Sequence, residues 1–122
     1  MTTKLLALGA VGEAATGLVL MTYPAMFIRL LMGAELSGVG TALGRLTGIA
    51  LLALGVACWP GAHAATGKAA PRALLTYSLL ATVYLLTVGL GGTLVGTLLW
   101  PAVAVHAVYT LLLARAWLGR PP

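Results

Sequence analysis

Leu5–Met21 reads LLALGAVGEAATGLVLM. The run is long and apolar enough to be most of a membrane span, and it carries one carboxylate, Glu13, near its middle. The chain has only two acidic residues, so one of them stands where ionisation is most costly. A charge at the bilayer centre costs between ~3 and ~15 kcal/mol, so Glu13 must be paired, protonated or facing a wet cavity.

The rest of the sequence fits the same solvent. Of 122 residues, 61% are hydrophobic and 7% charged, against about 25% charged in soluble domains. At about 20 residues per span the chain has room for four or five spans and no separate soluble domain. Lys4 before an apolar run has the look of a leader peptide, but Glu13 interrupts what would be its hydrophobic region, so it is read as a span. Cys58 is the single cysteine, which excludes an intramolecular disulfide and a multi-cysteine metal site.

The expected fold is all-α, a bundle of four transmembrane helices over residues 4–23, 40–59, 73–90 and 93–117, as one domain. Pro24 closes the first span. Residues 25–32 suit a short interfacial helix with Phe27, Leu30 and Leu31 in the membrane and Arg29 among headgroups. Glu35 follows in the same connection and is read as solvated. Gly9, Glu13 and Gly17 recur every four residues, as do Gly40, Gly44 and Gly48. Both patterns are small faces on which helix backbones approach closely in lipid. Arg45 sits inside the second ladder. Its depth depends on where that span begins, and near the start it would snorkel to the interface. His63 lies in the polar loop 60–72 and is read as solvated. Tyr77 and Tyr84 share a face of the third span, where Thr76, Ser78 and Thr87 can bond back to the preceding turn. Gly89, Gly91 and Gly92 predict a tight connection, and Trp100-Pro101 a kink or an interface in the fourth span.

Basic residues set the orientation. With four spans, Lys4, Lys68, Arg72, Arg115 and Arg120 share one side, and Arg29 the other, joined by Arg45 where the second span begins late. The bias places both termini in the cytoplasm and the chain in a bacterial inner membrane. The +5 net charge marks span ends rather than a nucleic-acid face, and no nucleic-acid partner is expected.

At 1.5 Å per residue, Glu13 and His106 both lie roughly 13 Å from their cytoplasmic ends, with Tyr84 and Tyr109 at neighbouring depths. Glu13, Arg45, His106, Tyr84 and Tyr109 therefore form the candidate intramembrane polar site. Glu13 can pair with Arg45, which neutralises both, or with His106, whose imidazole titrates near neutral pH. The cluster reads either as glue between helices or as a site for a ligand, proton or cofactor. No metal site, nucleotide loop or nucleophile constellation is present, and the chain has no Asp, so an enzyme is not expected.

Four spans and the lone glutamate in AVGEAATG (residues 10–17) resemble the small multidrug-resistance transporters. That resemblance would make Glu13 the residue that binds substrate or protons. The long first connection, Arg45 in span two and His106 in span four depart from it. GEAATGLVLMTYP (12–24), GRLTGIALLALGVACWP (44–60) and LLWPAVAVHAVYTLLLARAW (98–117) are loosely similar to DoxX-like small four-helix bacterial membrane proteins. This second resemblance implies the fold and no activity.

Three functions follow. The first is an accessory or interaction protein that associates, as a homo-oligomer or with a partner membrane protein, through its glycine faces. The second is a proton-linked transporter or binder with Glu13 titrating, Arg45 as counter-ion and His106 as relay. The third is an electron-transfer module holding haem or quinone through His106 and the tyrosines. No cofactor is required by the first two.

Overall fold

A computed structural model describes residues 2–61 and 67–119. The described residues form five helices: α1 (Thr2–Thr22), α2 (Pro24–Met32), α3 (Gly38–Cys58), α4 (Ala69–Gly91) and α5 (Leu99–Leu118). Four of them, all but α2, are long and apolar enough to cross a membrane. Helices are the natural choice for such a sequence, because they satisfy every backbone group internally where no water is present. His63 and Arg120 lie outside the described residues.

The helices pack as two pairs, α1 with α3 and α4 with α5, and each pair is far more intimate than the contacts between pairs. The α1–α3 contact is built on glycine. A Cβ on Gly17 would lie 2.5 Å from the Gly48 carbonyl oxygen, and one on Gly48 would lie 2.6 Å from the Gly17 carbonyl oxygen. Further along, a Cβ on Gly55 would lie 2.6 Å from the Ala10 carbonyl oxygen. Backbone therefore meets backbone along much of the crossing, where dispersion supplies the association that hydrophobicity cannot supply in lipid. Gly55 belongs to this contact, although the expected small faces held Gly9 and Gly17 on α1 and Gly40, Gly44 and Gly48 on α3. A Cβ on Gly44 would stand 3.2 Å from Pro24 Cβ, while one on Gly40 would meet only Leu36 and Ser37, just before its own helix.

The pairs join most firmly at one end. Leu5, Leu6, Cys58, Leu74 and Leu113 form a buried cluster there, bringing together the start of α1, the end of α3, the start of α4 and the end of α5. Both ends of the described chain thus lie at the same end of the bundle.

The opposite end is closed by α2, which forms as expected. Gly33 ends it in the left-handed region at φ 69°, with its N–H on the Arg29 carbonyl at 2.9 Å. The last carbonyls of α2 would lack donor partners, and the connection before α5 satisfies two of them. Gly96 donates to the Leu31 carbonyl at 3.0 Å and Leu98 to the Leu30 carbonyl at 2.8 Å. Gly96 approaches so closely that a Cβ would collide with the Leu30 carbonyl oxygen.

This docking shifts the start of α5, and α4 also begins earlier than expected. The α4–α5 connection is not tight but runs over residues 92–98, and α5 starts at Leu99 rather than near 93. Pro101 consequently falls in the first turn of α5, where the missing N–H had no acceptor to lose, and no mid-helix kink arises. Pro71 occupies the same place in α4, so that helix begins at Ala69, ahead of residue 73. α3 starts at Gly38, capped by Ser37 Oγ on the Gly40 N–H at 3.3 Å.

Candidate intramembrane polar site

Glu13 is 8% exposed, on the side of α1 that faces the second helix pair. The Tyr77 hydroxyl of α4 lies beside its carboxyl, within reach of donating a hydrogen bond to it. Tyr109 of α5 and Cys58 at the end of α3 lie within electrostatic reach of it. The Tyr77 ring in turn meets the His106 ring of α5 edge to face, with centroids 6.1 Å apart and planes at 63°. His106 Nδ1 lies 2.8 Å from the Ala102 carbonyl oxygen one turn earlier, which fixes its ring. A carboxyl, a phenol and an imidazole therefore stand in line across α1, α4 and α5.

Tyr109 braces the same region. Its hydroxyl donates to the Leu5 carbonyl at 2.6 Å. That bond exists because Gly9 has no side chain: a Cβ there would collide with the Tyr109 hydroxyl. Gly9 is thus a seat for a phenol rather than a seam between backbones. Ser78, fully buried beside this line on α4, has no hydrogen-bond partner for its Oγ among the described residues. It does not bond back to the preceding turn, whereas Thr82 and Thr87 do, at 2.7 Å each.

Of the expected residues, the structure brings Glu13, Tyr109 and His106 together and leaves out Arg45 and Tyr84. Glu13 lies level with the Leu51–Gly55 stretch of α3, because Gly55 meets Ala10 and Ala14 while Gly48 meets Gly17 and Met21. Arg45 is about two turns further along α3, at the level of Pro24. It is exposed and lines a concavity with Tyr23 and Arg29, so it does not pair with Glu13. The only ion pair among the described residues is Arg29 Nη2 to Glu35 Oε1 at 2.5 Å, on the surface. Glu35 is thus paired as well as solvated. Tyr84 is 63% exposed. It shares a helical face with Tyr77, but α1 covers that face only near the Leu5–Leu74 end of the bundle.

The missed member is Tyr77. The signal for it was present: Tyr77 lies at the same depth from its helix end as Glu13 and His106 do from theirs, within about a turn. Among the described residues, no group of three His, Cys, Asp or Glu side chains could hold a metal ion. His106 alone faces the centre as an imidazole, and no second axial histidine for a haem accompanies it among the described residues.

The fold is a helical bundle with a largely apolar exterior, four of whose helices are long and apolar enough to cross a membrane. Compared with protein-family models, curated proteins and solved structures, the chain matches none.

Proposed function

We propose that this chain is a small multi-pass protein of a bacterial inner membrane that works as an accessory or interaction subunit. Both termini lie in the cytoplasm, because Lys4, Lys68, Arg72 and Arg115 gather at one end of the bundle and Arg29 and Arg45 at the other. The observation that carries the interaction reading is Tyr84. Its phenol stands 63% exposed, seven residues or roughly 10 Å from the end of α4, and its hydroxyl has no hydrogen-bond partner among the described residues. A lone hydroxyl in hydrocarbon is satisfied best by a polar group on another span. The glycine faces do not serve this purpose, since Gly17, Gly48 and Gly55 are consumed within the chain. The partner span, from a second copy or from another membrane protein, instead covers α4 where α1 leaves it open.

Photocrosslinking from position 84 in intact membranes tests this. A discrete protein adduct of fixed size, lost when a neighbouring crosslinker is placed on the opposite face at Ser78, supports it. Adducts with lipid alone refute it.

A proton-linked binder is the second reading, favoured by the Glu13–Tyr77–His106 line of protonatable groups. In that reading Tyr77 replaces Arg45 as the partner of Glu13. It requires the two helix pairs to part, because the carboxyl is enclosed as the helices stand.

A further inference from the structure

Outside the polar line, a concavity lies where α1 ends, α2 begins and α3 passes beneath them. It has a volume of about 600 Å³. Its walls are mostly apolar, with Met26 and Leu30 among them, and two arginines, Arg29 and Arg45, stand on its lining. Ala25 and Met26, in the first turn of α2, also belong to the wall. First-turn N–H groups have no acceptor within their own helix, and the positive end of the helix dipole favours an anion beside them. Pro24 sets this turn and leaves its own N–H out of the account.

The charges here are unbalanced. Glu35 occupies one edge of Arg29, in a pair whose side chains are 64% and 72% exposed. Arg45 has no carboxylate partner among the described residues. It starts seven residues into α3, roughly 10 Å from the helix start, so its stem runs along apolar wall and its guanidinium reaches toward the interface. Cations are sparse on the side of a membrane protein away from the cytoplasm, so an unneutralised arginine there asks for an anion. The guanidinium fork suits phosphate oxygens in a bidentate way, and an apolar trough beneath it suits an acyl chain.

We propose that this concavity binds an anionic phospholipid, its phosphate held by Arg45 and Arg29 and the first turn of α2, its acyl chain along Met26 and Leu30. Tyr23, 65% exposed at the N-cap of α2, lies at the rim, where a phenol suits the headgroup layer.

The test is native mass spectrometry of the full chain released from nanodiscs, comparing phosphatidylglycerol with phosphatidylcholine of the same acyl chains. The expected result is preferential retention of phosphatidylglycerol, falling roughly tenfold in Arg45→Gln, the size of one charge-assisted contact. Arg45→Lys should fall less, and Glu35→Gln, which frees Arg29 without touching the fold, should raise retention about two- to threefold. Glu35→Gln keeps the test decisive even where Arg45→Gln folds poorly. Equal retention of the two lipids, or no change in either charge variant, overturns the proposal. Displacement of the lipid by millimolar inorganic phosphate would assign the site to a soluble anion and overturn the lipid reading.

Discussion

The α1–α3 crossing makes a sharp claim about one methyl group. Gly48→Ala adds a Cβ that would stand 2.6 Å from the Gly17 carbonyl oxygen, 2.8 Å from the Met21 nitrogen and 2.9 Å from Met21 Cγ. Two of these neighbours are backbone, so relief requires the helices to separate. Overpacking of this kind costs about 1–3 kcal/mol. Separation also loosens Gly17 against Leu52 and Gly55 against Ala14, because the two helices move as rigid rods. Against this stands the intrinsic helix preference of Ala over Gly, about 1 kcal/mol in water. The net effect is destabilising, by up to about 2 kcal/mol. Gly12→Ala on the same helix pair is the control, because nothing lies within 4 Å of a Cβ there. It receives the helix preference without the collision. Thermal unfolding in detergent, followed by loss of the monodisperse peak in size-exclusion chromatography, should rank Gly12→Ala at or above wild type and Gly48→Ala clearly below. Equal melting of Gly48→Ala and Gly12→Ala would refute the backbone-to-backbone crossing.

Other residues make separate claims. Tyr109→Phe should destabilise by about 0.5–1.5 kcal/mol in the same assay, since it removes the donor to the Leu5 carbonyl, and Gly9→Ala should cost more because the whole ring must move. Gly96→Ala should weaken the docking of residues 92–98 on α2, seen as faster proteolysis in that connection with the four long helices intact. Ser78→Ala should be neutral or slightly stabilising, because its buried hydroxyl has no partner among the described residues to lose. A reporter fused after Leu118 should be active only as a cytoplasmic reporter; activity of a periplasmic reporter there would reverse the orientation.

Much of the fold was legible in the sequence because lipid imposes coarse rules. Apolar length marked the four long helices, and Pro24 marked the break between α1 and α2. The four-residue spacing of glycines marked Gly17 and Gly48 as a contact, although not with which helix or in what register. What spacing could not show was the tertiary docking of residues 92–98 on α2, which delays α5 and turns Pro101 from a kink into a first-turn residue. The polar site was half legible. Depth counting placed Glu13 beside His106 and Tyr109, but depth carries no azimuth. Spacing left Arg45 either inside the membrane, where it could pair with Glu13, or snorkelling to the interface. In the structure the register set by Gly48 and Gly55 carries it toward Pro24 instead. Tyr77 and Tyr84 share a helical face, yet Tyr77 is half-buried beside Glu13 and His106 while Tyr84 is exposed.

That choice of partner for Glu13 is the centre of the account, and a double-mutant cycle measures it directly. Glu13→Gln, Tyr77→Phe and Arg45→Gln should be made singly and as the pairs Glu13/Tyr77 and Glu13/Arg45, with unfolding followed in the same detergent. The account predicts a coupling between Glu13 and Tyr77 of about 0.6–1.7 kcal/mol, the range of hydrogen bonds between membrane helices, and strict additivity for Glu13 with Arg45. Additivity at Tyr77 together with coupling at Arg45 would contradict it.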